Sequence, residues 1–328
     1  DHKDLTIKDD GKEEFVEIEK AKNIARSLLR PYDMRKEYIL ARIFGYVLGD
    51  GHTGFNNDRD SFQGSVSGDY EGLSRMTYDI RKIDYPTGKI REKETDSIIN
   101  TIKYGEKFVH SHVWEMSLNT YLTKKLVNLG CPIGKKTDVP FKIPDWIMNG
   151  DIDIKKEFLG GYFGAEGSNP DFRGNENNKL RRSFFVNRFS ISKRSDLVEN
   201  GIFLAIQIRK LLSEFGVEIS DIKIIDSNIR KDGSISKQIL STIGNNKDNL
   251  SRFLELGFRY CYKKEREGDI IRLYFKYISE CDKERKEMDR LVNADLMSVV
   301  SKANDVYNLT ARGKKLLIEY LKEQEKHT

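Results

Sequence analysis

The sequence predicts an α+β chain of two pseudo-symmetric subdomains, and three observations lead there. The phrase ARIFGYVLGDGH (41–52) returns as EFLGGYFGAEGS (157–168). Each copy leads the same order of helix and strand patterns. Each unit then closes on a like phrase, LGCPIGKK (129–136) and LGFRYCYKK (256–264). Duplication of this length within one chain implies two similar units about a pseudo-twofold.

Residues 1–34 form an N-terminal extension, with strands at Leu5–Lys8 and Glu14–Ile18 and a helix through Leu29. The first subdomain, 35–148, opens on Tyr38–Leu48. That run is almost continuously apolar, so it is a helix buried on most sides, and Gly49-Asp50-Gly51 ends it. A strand-like SFQGSVSG and a helix from Glu71 to Ile83 follow. Two long strands come next, GKIREKET and HSHVWEMSL; in the latter Val113, Glu115 and Ser117 alternate with Trp114, Met116 and Leu118. A helix through YLTKKLVNLG completes the unit.

The second subdomain, 149–265, repeats the order: a helix around Lys155–Gly164, strand-like SFFVNRFSISK, and a helix from Leu197 to Phe215. Strands IKIID and KQILSTI flank an Arg-Lys-Asp-Gly turn, and the helix NLSRFLELG follows. Residues 266–328 carry many charges of both signs and read as a helical C-terminal extension.

Composition narrows the function. The 57 Lys+Arg against 52 Asp+Glu leave a net charge of only +5, which does not by itself imply nucleic acid. Three cysteines, widely spaced and without a CxxC, argue against a disulfide framework or a cysteine zinc site. His110 and His112 would share a strand face but lack the acidic or Cys company of a metal site, so they read as a surface pair. No apolar run has the length of a membrane span and the opening is no signal peptide, so a soluble, intracellular protein is expected.

The duplicated phrase poses two physical questions. Ala41, Gly45 and Gly49 recur four apart in one helix, and Gly161 and Ala165 in the other. Glycine inside a helix costs about 0.5–1 kcal/mol relative to alanine. Close approach of the two helix backbones is a reason to keep it. Each helix also ends on an acid, Asp50 or Glu166, where the macrodipole disfavours negative charge. A divalent cation would reverse that penalty, with the Gly49 and Ala165 carbonyls as further oxygen ligands. Helices packed in parallel bring the acids together, as a metal centre for phosphodiester hydrolysis requires. An ordinary C-cap turn accounts for either acid alone, but not for the matched pair.

These residues resemble the two motifs of the LAGLIDADG homing endonuclease family in its single-chain, two-motif form, over roughly 35–265. The junction GCPIGKKTDVPFKIPDWIMNGDIDIKKEFLGGYFGAEGS and the phrase LSEFGVEIS are similar to archaeal-type members. The resemblance implies two αββαββα subdomains whose sheets form a saddle over double-stranded DNA, with the motif helices as the central interface. It implies a monomer in which Asp50 and Glu166 bind two or three Mg²⁺ ions, Mn²⁺ substituting, and cut both strands across the minor groove. It also places a basic residue near each centre. Lys136 and Lys263 match best, with Lys135, Lys142 and Lys264 as neighbours. The places aligned with a polar strand-end residue found in some members are Gly68-Asp69 and Ser192-Lys193; Gly68 has no side chain, and Asp69 and Lys193 are the candidates.

A β surface lying in the major groove presents alternate side chains to base edges. The expected DNA contacts are Asn57, Arg59, Gln63, Lys89, Arg91, Lys93, Arg173, Arg181, Lys193, Arg230, Lys231 and Lys237. In KIREKET, Lys89, Arg91, Lys93 and Thr95 share one face. Because the halves differ, the target would be long and asymmetric. Two alternatives stay open: a maturase-like RNA-splicing cofactor without DNA cleavage, and the endonuclease part of an intein. A first Asp and last Thr lack the splicing nucleophile and terminal Asn, so splicing by this chain itself is not expected.

Overall fold

The computed structural model describes residues 36–172, 184–185, 188–230, 232–244, 246–301 and 306–325. The strands and helix expected within 1–34, and Arg173, Arg181 and Lys231, lie outside these residues. The chain divides into two compact units, Asp1–Asp269 and Ile270–Thr328.

The first unit begins with α1 (Lys36–Asp50), β1 (Gly51–Asn56), a 3-10 turn at Asn57–Arg59, β2 (Ser61–Gly68) and α2 (Tyr70–Lys82). There follow β3 (Thr87–Thr101), β4 (Gly105–Leu118), α3 (Thr120–Asn128) and the short α4 (Asp145–Met148). The copy runs through α5 (Ile152–Ala165), the small pair β5 (Asp171–Phe172) and β6 (Phe184–Phe185), β7 (Arg188–Arg194), α6 (Val198–Glu214), β8 (Lys223–Ile229), β9 (Ile235–Thr242) and α7 (Lys247–Leu256). This is the α+β fold of two like halves, and the first half is αββαββα element for element.

One seven-stranded antiparallel sheet serves both halves, in the order β1-β2-β4-β3-β8-β9-β7. The halves meet where Thr101 of β3 pairs with Asn228 of β8. Helices cover one face. Val66, Met116 and Leu118 of the sheet are buried there, as are Leu73, Met76 and Ile80 of α2 and Leu122 and Leu126 of α3. In the second half Phe163 meets Phe189 and Phe253 edge-on at 5.9 and 5.0 Å. Each such side chain stabilises the fold by roughly 1.5–3 kcal/mol through burial.

Local sequence sets the helix starts. Asp69, Asn119, Asp151 and Asn246 each accept a backbone N–H of the first turn of α2, α3, α5 and α7. The strands β3 and β4 reach well beyond the predicted KIREKET and HSHVWEMSL, because the apolar residues of their outer halves come as adjacent pairs, Ile98-Ile99 and Phe108-Val109, and carry no alternation.

In the second unit lie most of α8 (Tyr262–Asn293), a hairpin of β10 (Met297–Ser301) and β11 (Val306–Leu309), and α9 (Ala311–Glu325). The hairpin was not expected in a segment read as helical. Its strands hold only five and four residues, too few to show a period. Among the described residues, no helix is long and apolar enough to cross a membrane.

Candidate active site

The site grows from the contact of α1 with α5. A Cβ on Gly45 would run into the Phe158 carbonyl oxygen, and one on Gly161 into that of Arg42. A Cβ on Gly49 would lie 2.5 Å from the Ala165 methyl. Contacts that advance from Arg42–Gly161 to Gly49–Ala165 mean that the helices run parallel with their backbones nearly touching. Asp50, the last residue of α1, and Glu166, the C-cap of α5, therefore emerge together. The Glu166 Cγ lies 3.2 Å from the Cβ position of Gly49. Gly167, at φ +85, turns the chain away.

Each helix end is capped by a lysine. Lys136 Nζ donates to the carbonyls of Leu48 (2.9 Å), Val47 (3.3 Å) and Gly49. Lys264 Nζ donates to Phe163, Gly164, Ala165 and Glu166 at 2.9–3.1 Å. These are the acceptors that a helix C-terminus leaves unpaired, and positive charge is favourable there. The Gly49 and Ala165 carbonyls, expected as metal ligands, thus each accept from an ammonium group. Lys263 is exposed, and its neighbour Lys264 occupies the place expected for it. The tail phrase is one residue longer in the second half, so counting from the shared Leu-Gly lands on the wrong lysine.

Four charges share this midline. Burial pushes the Asp50 carboxyl up, with Lys136 and Lys264 opposing. Solvent still reaches Asp50, but protein crowds it on most sides. Glu166 is raised by burial and then by Asp50 itself, the mark of two acids sharing one place. Burial lowers both lysines, against the pull of the acids. Beside Glu166 opens a cavity of about 180 Å³ whose lining includes Lys136, Phe141, Ser190, Ser192 and Lys193.

The sheet face away from the helices is largely polar. His52, Asn56, Gln63, Ser65, Glu115 and Ser117 line a concavity in the first half. Gln63, Lys89, Arg91 and Lys93 are exposed, as are Asn57 and Arg59 at the β1–β2 turn. Lys93 pairs with Glu115 across the strands at 2.9 Å. Arg91 lies opposite Glu115, and Lys93 opposite Val113, on that open face.

The second half corrects the sequence reading. Phe189 and Ile191 bury one face of β7, and Lys193, next in that alternation, is 0% exposed. Its Nζ donates to the carbonyls of Lys136 and Val139 at 2.7 Å and sits 4.1 Å from the centre of the Phe141 ring. It cannot reach a phosphate. Lys237, directly across from it, faces the same side and pairs with Asp226 at 2.6 Å. Arg230 is paired with Asp138. The open face instead carries Arg188, Ser190 and Ser192, which the alternation in RFSISKR identifies, and Gln238, which pairs with Ser192. Asp69 is a helix cap. His110 and His112 each meet a carboxylate, Asp96 and Glu92, and the described residues hold no cluster of three or more metal-ligating side chains.

Burial brings the Lys193 ammonium from its ordinary 10.5 down to about 8. Between these values the unfolded chain binds more protons than the folded one, so stability should rise as pH climbs from 8 towards 10.5. Urea midpoints at pH 8 and 10 check this. Lys193→Met should flatten the rise, and equal slopes in both proteins would refute it.

No family model matches the chain. The chain is 30% identical over 257 residues to the DNA-directed RNA polymerase subunit Rpo1N of Methanocaldococcus jannaschii, covering 78% of this chain and 18% of that protein. It is 31% identical over 250 residues to the tRNA-splicing ligase RtcB of Pyrococcus furiosus, covering 76% and 24%. The chain thus spans less than a quarter of either curated relative. Among solved structures it is similar to the homing endonuclease I-WcaI bound to its DNA recognition sequence, with TM-score 0.38 and 14% identity over 73% of this chain and 90% of that one. The I-LtrWI LAGLIDADG homing endonuclease bound to target DNA gives TM-score 0.36 and 13% identity over 75% and 92%.

A second small-residue stripe escaped the sequence reading. Gly160 and Gly164 lie on α5 away from α1, and a Cβ on Gly164 would strike the Arg259 carbonyl. This stripe seats the segment that carries Lys264. Four glycines and alanines in one phrase, GGYFGA, blur two faces into one signal.

Proposed function

We propose that this chain is a site-specific endonuclease that hydrolyses both strands of double-stranded DNA with divalent cations. The observation that carries the reading is the glycine-packed parallel helix pair, which sets Asp50 and Glu166 side by side in a fold whose sheet leaves one polar face open. The motif resemblance to LAGLIDADG homing endonucleases supports it.

The donor set suits Mg²⁺. That ion takes one or two protein carboxylates and completes its shell with water and phosphate oxygens, so it needs no larger cluster. Asp50 and Glu166 would hold it, and Mn²⁺ would substitute. When bound, the ion lowers the pKa of water and offsets charge on the phosphate. Lys136 and Lys264 pin the helix ends and add positive charge on either side of the scissile groups. Arg91, Gln63, Arg188 and Gln238 project from the sheet face that would follow the groove, where such side chains bond phosphates and base edges.

The relatives favour a module carried inside other proteins. Three quarters of this chain matches a minor part of a polymerase subunit and of a ligase, proteins whose named activities differ. A stretch common to both is not what makes either one work. We read it as an inserted element, as the endonuclease part of an intein would be.

Incubation with a plasmid library carrying random inserts tests the activity. Linear product is expected with Mg²⁺ and none with EDTA, whereas an RNA-splicing cofactor would leave every plasmid intact. On the selected site, Arg91→Ala and Arg188→Ala should each reduce the slope of log affinity against log salt by about 0.9, if each neutralises one phosphate. An unchanged slope would remove that residue from the interface.

A further inference from the structure

The lysines reach the centre on two short straps, one ending each half, and each strap is fastened by the opposite half. The first strap, 131–139, starts in its own half, where Gly134 N–H donates to the Thr53 carbonyl at 2.8 Å. Beyond that point the second half takes over. Lys193 binds the Lys136 and Val139 carbonyls, and the Arg194 N–H donates to Thr137 at 3.0 Å. Arg230 forks onto both carboxylate oxygens of Asp138 at 2.6 and 2.7 Å.

The second strap, 257–265, mirrors this arrangement. Its Arg259 is tied within its own half to Glu157 at 3.0 Å. The first half then holds Tyr260, whose hydroxyl donates to Asp79 at 2.8 Å, and the Tyr262 N–H, which donates to Asp69 at 3.0 Å. Tyr260 sits at φ +62, a conformation that costs a non-glycine residue about 1–2 kcal/mol. Gly72 leaves no room for a Cβ beneath its carbonyl.

We propose that Lys193, the Asp138–Arg230 pair and the Asp79–Tyr260 pair are positioning residues, each setting one half's lysine from the other half. Placement of each lysine then depends on docking of the partner half, and the two strand cuts are linked. The proposal rests on the endonuclease reading for its effect on DNA, but the placement of the straps is independent of it.

Arg230→Ala tests it. Trypsin should cut the folded variant after Lys135 and Lys136 about tenfold faster than the parent, since a charged bidentate bond is worth at least that factor. On supercoiled plasmid carrying the selected site, nicked circles should accumulate because one cut slows about tenfold more than the other. Arg230→Lys, which keeps the charge but not the fork, should restore part of both. Asp138→Asn, which keeps the loop's size, replaces Arg230→Ala if that variant does not fold. Unchanged tryptic cutting overturns the proposal, as does an equal slowing of both cuts together with a lowered melting temperature. Failure of the parent protein to cut any DNA would sink the endonuclease reading, while the trypsin result would still decide the latch.

Discussion

Asp50→Asn should lose cutting of both strands by about a thousandfold or more, and Glu166→Gln should do the same, on the scale of removing a preorganised group that stabilises transition-state charge. Both substitutions keep size and hydrogen-bonding shape while deleting the charge that attracts a cation. Stability should move the other way. Both carboxyls are raised, so the folded chain holds protons that the unfolded one releases, and folding is weakened as pH rises above the ordinary carboxylate range. Neutral amides remove that penalty. The variants should therefore melt no lower than the parent in metal-free buffer at pH 7. A dead enzyme with an intact melting transition is the signature of an acid kept for chemistry. Full cutting by either variant would end the proposed centre.

Gly161→Val should damage the fold severely. Its Cβ would enter the Arg42 carbonyl of the facing helix and approach the Tyr46 nitrogen at 3.0 Å. Backbone cannot swing aside as a side chain does, so the helices must part. Overpacking of this kind costs about 3 kcal/mol. That corresponds to a fall of roughly 6–12 °C in melting temperature for a unit of this size. Parting the helices would also spread Asp50 from Glu166. Thermal melting checks the first effect, and a fall of less than a degree or two would contradict the packing argument.

Much of this was legible in the sequence because small residues and acids are local signals. Gly45, Gly49, Gly161 and Ala165 fixed the helix contact, and the matched ends fixed Asp50 and Glu166. Lys264 was harder, because the two strap phrases differ in length by one residue. The pleat of β7 was readable from Phe189 and Ile191, yet the charge on Lys193 suggested solvent where the alternation placed it in the interior. Other features leave no local trace. Arg230 meets Asp138 across 92 positions, and Tyr260 meets Asp79 across 181. The junction of Thr101 with Asn228, which makes one sheet of two, is likewise a product of how the halves dock.

The meeting of Gly49 with Ala165 constrains how these twin halves can drift apart. Space at that crossing admits a single methyl group, and the second copy has taken it. A lineage that put alanine at position 49 would first have to surrender the one at 165, since the intermediate with both would wedge the pair open. Mutations there are contingent on each other, so two segments that began as duplicates remain bound to a common history at this point while the rest of their surfaces diverge.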